Sequence, residues 1–123
     1  MNAINWFEIA VEDLQRAKTF YEKVLKKELT ITALGEDQMA LFPYNPSETN
    51  ASGALVQGKN YTPGMAGTKI YFDCEDVNDP LSRVEENGGI ILLPKTKIGE
   101  FGSIALVKDT EGNLIGLHSG DMS

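Results

Sequence analysis

The chain has 123 residues, 41% hydrophobic and 24% charged, which suits a single globular domain, residues 1–123, able to bury a core without staples. Its formal net charge of −7 argues against nucleic acid and anionic lipid as partners. No stretch is long and apolar enough to span a membrane, and the opening MNAINWFEIA lacks the blocks of a signal peptide, so a cytoplasmic protein is expected.

Residues 4–11 predict a strand with Phe7, Ile9 and Val11 on one face and Trp6, Glu8 and Ala10 on the other. Asp13 offers an N-cap. Leu14, Ala17, Phe20 or Tyr21, Val24 and Leu25 follow at helical spacing, and the helix is expected to end near Lys26 or Lys27, where cations favour the dipole. LTITAL, QMALFPY and SGALVQG read as short strands, with YNPSETNAS a polar loop between the last two.

GKNYTPGMAG marks a connector by its Gly and Pro content, and the plan then repeats. TKIYFDCE is a strand with Ile70, Phe72 and Cys74 on one face and Lys69, Tyr71 and Asp73 on the other. Asp79 is the expected cap of a second helix, with Pro80 at its first position and Leu81 and Val84 as its apolar stripe. Gly88-Gly89 stops that helix. IILLP, SIALVKD and NLIGLHS complete the second set of strands. KTKIGEFG is a loop after the first of them, and DTEGN is a tight hairpin turn before the last.

The two copies superpose with Glu12-Asp13-Leu14 on Glu75-Asp76-Val77, an offset of 63 (75 minus 12). Trp6 then falls on Lys69 and Glu8 on Tyr71. The expectation is an α+β fold of two tandem β-α-β-β-β modules, residues 3–58 and 68–119, joined by a connector at 59–67. Together they form a mixed, curled sheet with helices on the outer face and a trough on the other. The polar residues of the opening strands line that trough.

VEDLQRAKTFYEKVL at the front and DTEGNLIGLHS at the end give this arrangement a resemblance to the vicinal oxygen chelate superfamily, which includes glyoxalase I, bleomycin-resistance proteins and extradiol dioxygenases. WFEIAVEDL with IGEFGSIALVKDTEGNLIGLHS looks like its glyoxalase-like subgroup of unassigned activity. The resemblance implies a homodimer and a small-molecule cleft. It also places a family metal site at Trp6, Lys69 and Gly116 here. Trp and Gly offer no ligand and Lys opposes a cation, so no metal is expected there. A displaced divalent-metal site two residues further along each strand, at Glu8, Tyr71 and His118 with Gln57 nearby, has only two firm ligands, Glu8 and His118, and is not favoured.

Glu8 is the candidate base or cation anchor, weighed against a solvated carboxylate paired with Lys69. His118, the only histidine, is the candidate acid or base, weighed against a merely packed residue. Trp6, Lys69, Tyr71 and Gln57 are candidate substrate contacts. For the first three a filler, a salt bridge and a packed rim residue are the plainer roles. Cys74, the only cysteine, is expected to be a buried, inert thiol. Two functions compete: a glyoxalase-like lyase or isomerase, and a non-catalytic small-molecule binder of the bleomycin-resistance type.

Overall fold

The computed structural model describes residues 2–48 and 51–120; Thr49 and Asn50 of the predicted polar loop lie outside the described residues. The fold is α+β, two tandem modules that each carry a four-stranded mixed sheet. In the first, β1 (Trp6–Ala10) leads into α1 (Leu14–Leu25), then β2 (Thr30–Leu34), β3 (Asp37–Leu41) and β4 (Ser52–Gln57). The strand order is β1-β4-β3-β2, with β1 parallel to β4 and the other pairs antiparallel. The second repeats the plan with β5 (Ile70–Asp73), α2 (Asn78–Leu81), β6 (Ile90–Lys97), β7 (Ser103–Lys108) and β8 (Leu114–Ser119), in the order β5-β8-β7-β6.

α1 forms where the apolar spacing predicts it. Asp13 is its cap, in extended backbone, and its side chain accepts from Arg16 N. Lys26 ends it in the left-handed region, φ 54°, with its N–H on the Glu22 carbonyl. Leu14, Ala17, Phe20, Tyr21 and Val24 are buried. They pack in one cluster with Ile9 and Leu55 of the first sheet and with Val84, Val107, Ile115 and Leu117 of the second module. One helix therefore serves both halves. Tyr21 sits at the centre, its ring 6.0 Å from Phe42 and 5.8 Å from Phe72.

Two expectations in the second module are corrected. Asp79 does not cap α2. The helix begins earlier, with Val77 in the cap position and no side-chain cap bond, so Asp79 lies inside it; Asp76, one residue before the cap, accepts from Asn78 N through Oδ1 at 3.0 Å. The Asp79 carboxylate instead grips Arg83 at 3.0 Å. α2 is a single turn, followed by a 3-10 turn at Glu85–Asn87 that ends on Gly88 at φ 96°. KTKIGEFG is also not all loop. β6 runs on through Pro94 to Lys97, with register shifts on both sides of Leu93. Proline is tolerated there because β6 is the edge of its sheet and needs no donor on its outer side.

The DTEGN turn does more than reverse the chain. Glu111 Oε1 accepts from Glu12 N at 3.0 Å and Asp13 N at 2.8 Å, and Arg16 Nε donates to Oε2 at 2.7 Å. Asp109, 3% exposed, accepts from Tyr21 Oη, from Asn113 Nδ2 and from the amides of Glu111 and Asn113. Asn113 in turn donates to the Ala10 carbonyl and accepts from Gly64 N. At the other end of α1, Arg83 donates to the Lys23 and Val24 carbonyls. The second module thus closes both ends of the first module's helix.

Burial alone would raise the Glu111 carboxyl. The Arg16 guanidinium, the Asp13 and Glu12 amides and the Thr110 hydroxyl outweigh it and hold the group below its ordinary 4.5. A depressed pKa contributes stability above the unfolded value and loses it as pH falls through the folded value. Glu111→Gln is therefore expected to cost about 2–3 kcal/mol near neutral pH. Urea titrations from pH 7 to pH 3 should show the gap to the wild type shrinking below about pH 4.5. A gap independent of pH would contradict this. Asp109→Asn places a donor where Asn113 already donates, and a loss of about 2–4 kcal/mol is expected in the same titrations.

Candidate functional site

The registers define one face of each sheet away from the helices. Glu8 lies opposite Ala54, and Ala10 opposite Val56. Met39 pairs with Val56 and Leu41 with Ala54, which puts all of these on the Glu8 side. Met39, Ala54 and Val56 are buried there beneath Leu41 and Tyr61. Tyr61 belongs to the connector. It folds over this face, and its phenol donates to Glu8 Oε1 at 3.2 Å. The charge of Glu8 raises the Tyr61 pKa, so the phenol keeps its proton and the carboxylate stays the acceptor. Trp6, 43% exposed, stands beside them on the same face.

In the second module Tyr71 lies opposite Gly116 and Asp73 opposite His118. The Tyr71 ring rests directly on Gly116, where any Cβ would collide with it. Lys69 Nζ lies 5.9 Å from the centre of that ring. His118 Nε2 is 2.6 Å from the Phe101 carbonyl. A carbonyl only accepts, so Nε2 carries the proton, and in the neutral ring Nδ1 is left as an acceptor. Phe101, 68% exposed, is held by this bond at the turn before β7.

Trp6 and Glu8 thus occupy the open face of the first sheet, while Tyr71 and His118 occupy that of the second. Lys69 meets Tyr71. It forms no ion pair with Glu8, whose partner is Tyr61. Gln57 turns the other way: it follows Val56 by one residue, and its Oε1 accepts from Leu14 N at 2.8 Å, as part of the α1 N-terminus. Cys74 is half-buried, its Sγ 3.3 Å from the His118 carbonyl, and burial pushes its thiol up to about 11. Among the described residues no three His, Cys, Asp or Glu side chains converge closely enough to hold a metal ion.

Sequence reasoning passed over Tyr61, and it weighed Phe101 only as part of an apolar lid with Met39 and Met65. Tyr61 sits in a segment marked only by its Gly and Pro, and its lone aromatic ring was the available signal. Phe101 acts through its backbone carbonyl, for which a sequence has no signal. Two cavities adjoin the open faces. One, of about 510 Å³, is polar and lined by Glu12, Glu36, Gln38, Lys59 and Tyr61. The other, of about 580 Å³, lies between the modules on the side of Phe7, Phe42 and Phe72. Neither includes Trp6, Glu8 or His118.

No curated protein sequence matches this chain. Solved structures do. An antibiotic-binding protein from Streptomyces sp. superposes with a TM-score of 0.73 at 24% identity, covering 98% of each chain. A glyoxylase/bleomycin resistance protein/dioxygenase domain from Frankia sp. gives 0.75 at 15% identity, over 98% of this chain and 99% of that one. A mutant of glyoxalase I from Zea mays gives 0.72 at 20% identity over 94% of this chain, which spans only 46% of the maize chain. At these identities the likeness is one of fold. The model of one family matches residues 3–117, and on that match the chain belongs to the Glyoxalase/Bleomycin resistance protein/Dioxygenase superfamily.

Proposed function

We propose that the protein is a glyoxalase-like enzyme of the lyase or isomerase type, acting on a small carbonyl compound by proton transfer and without a metal at the family's customary positions. One observation carries this reading. On the open faces, each of the two groups suited to proton transfer is oriented by a single hydrogen bond that leaves another atom free. Tyr61 holds Glu8 Oε1 and leaves Oε2; the Phe101 carbonyl holds His118 Nε2 and leaves Nδ1. Glu8 takes the proton next to the substrate carbonyl and returns it to the product, Lys69 and Tyr71 stabilise the oxyanion that develops, and His118 Nδ1 accepts a hydrogen bond from the substrate. Trp6 stacks on the substrate.

The donor set supports metal-free chemistry. Trp6 and Gly116 present no ligand, Lys69 carries a positive charge, and the Tyr71 ring fills the space above Gly116. The same reading takes the protein to be a cytoplasmic homodimer. Among the described residues no helix is long and apolar enough to cross a membrane. Trp6, Leu34, Ile90, Leu92 and Phe101 are all exposed, and a second copy covering them would bring the Glu8 face of one chain to the His118 face of the other.

A second reading, a non-catalytic binder of the bleomycin-resistance type, is favoured by the pairing of an exposed indole with a carboxylate at Trp6 and Glu8. That pair suits an aromatic cation. Solvent-deuterium exchange into a panel of 2-oxo compounds separates the two. Glu8→Gln is expected to slow exchange by about 10²–10⁴-fold while leaving thermal stability and ligand-induced shifts in Tm in place. No exchange with any compound, together with cation binding lost in Trp6→Ala, would establish the binder instead.

Elemental analysis after gentle purification should find less than one metal per chain, and a chelator should leave turnover unchanged. Turnover of the methylglyoxal–glutathione adduct that disappears with chelator would overturn the metal-free mechanism.

A further inference from the structure

We propose that the cleft between the modules, on the helix side of the sheets, is a second small-molecule site that takes a flat aromatic compound whatever its charge. Its volume of about 580 Å³ is that of a ligand pocket. Its floor is three rings: Phe7 stands 5.5 Å from Phe42 and 5.7 Å from Phe72, and Phe42 stands 5.6 Å from Phe72. The rings are mutually tilted, so they offer both faces and edges to a fourth ring. Phe7 and Phe72 pack against the core yet remain only half-buried. The core stops short of them, and the cleft is the space left over. Leu25, Ile70 and Pro80 form its apolar walls.

Charge at the mouth is balanced. Lys27, Lys69 and Arg83 face Glu48, Asp73 and Asp79, three cations against three carboxylates, and Arg83 already pairs with Asp79. Such a rim exerts little net field on an entering molecule, so selection falls to the aromatic floor. The floor of the cleft faces away from the open faces, while its rim shares Lys69, Tyr71 and Asp73 of β5 with them. Phe7 and Phe72 alternate with Glu8 and Tyr71 along their strands and so point the opposite way. β5 stands at the edge of its sheet and contributes both its faces to the cleft wall from Lys69 to Cys74. Cys74, the only cysteine of the chain, is therefore a reporter already in place.

The full chain is titrated with neutral phenylnaphthylamine and with anionic anilinonaphthalene sulfonate, at low and high salt, by fluorescence. Maleimide labelling of Cys74 is timed with and without each dye. Both dyes are expected to saturate with affinities within about tenfold of each other and with little dependence on salt. Both should slow the labelling of Cys74. Ala51→Trp fills the cleft from its loop and should weaken both dyes by at least about tenfold; Ile70→Trp, which fills it from the strand, serves if the first variant does not fold. Trp6→Ala should leave dye binding unchanged. The proposal is overturned by an absence of saturable binding, by binding that survives both filling variants, by loss of binding in Trp6→Ala, by an unchanged rate of Cys74 labelling, or by a strong preference for the anion.

Discussion

The structure depends on the closure of one helix by the repeat to which it does not belong. α1 has orphan amides at its start and orphan carbonyls at its end, as any helix does. Its own sequence supplies Asp13 for one amide. Gln57 of the same module takes Leu14 N. The remaining work comes from the other module. Glu111 receives the amides of Glu12 and Asp13, and Arg83 meets the carbonyls of Lys23 and Val24. These bonds come with charge, Glu111 to Arg16 and Arg83 to Asp79, so each is stronger than a neutral contact. Neither half can leave without stranding polar groups of the other.

That closure decides where the open faces lie. With α1 clasped between the modules, the apolar faces of both sheets are spent on it, and Ile9, Leu55, Val107 and Leu117 join one core. The other faces carry Glu8 and Trp6 on one sheet and Tyr71, Asp73 and His118 on the other. A carboxylate or an imidazole survives on a strand only where the sheet is not fully covered, which is why the residues suited to chemistry collect there. The connector answers on the same side, since Tyr61 must cover Met39 and Val56 and its hydroxyl then finds Glu8.

Much of this was legible along the chain. The alternation in WFEIA and IYFD separates the two faces because a strand turns each successive side chain over. Asp13, Lys26 and Gly88 mark helix ends because caps are local chemistry, set by residues within a turn of the boundary. Asp79 misled because Asp76, Asn78 and Asp79 are all good caps within four positions, whereas the helix starts from Val77 as its cap and Asp76 reaches Asn78 N from one residue further back. Lys95 read as a loop residue because KTKIGEFG carries two glycines, yet β6 runs on to Lys97 before them, and Lys95 pairs with Asp76 from within it.

The partners were not legible. DTEGN read only as a tight hairpin turn, and nothing near Glu111 says that Arg16, 95 positions away, will meet it. Gln57 looked like a trough residue by its place in the last strand, but the amide of Leu14, 43 positions back, turned it around. The sequence by itself determined the elements, the repeat and the two faces of each strand, because these follow from the periodicity of neighbouring side chains. Only the tertiary structure decided which polar groups meet, because a hydrogen bond between distant segments exists only after the apolar faces have brought them together.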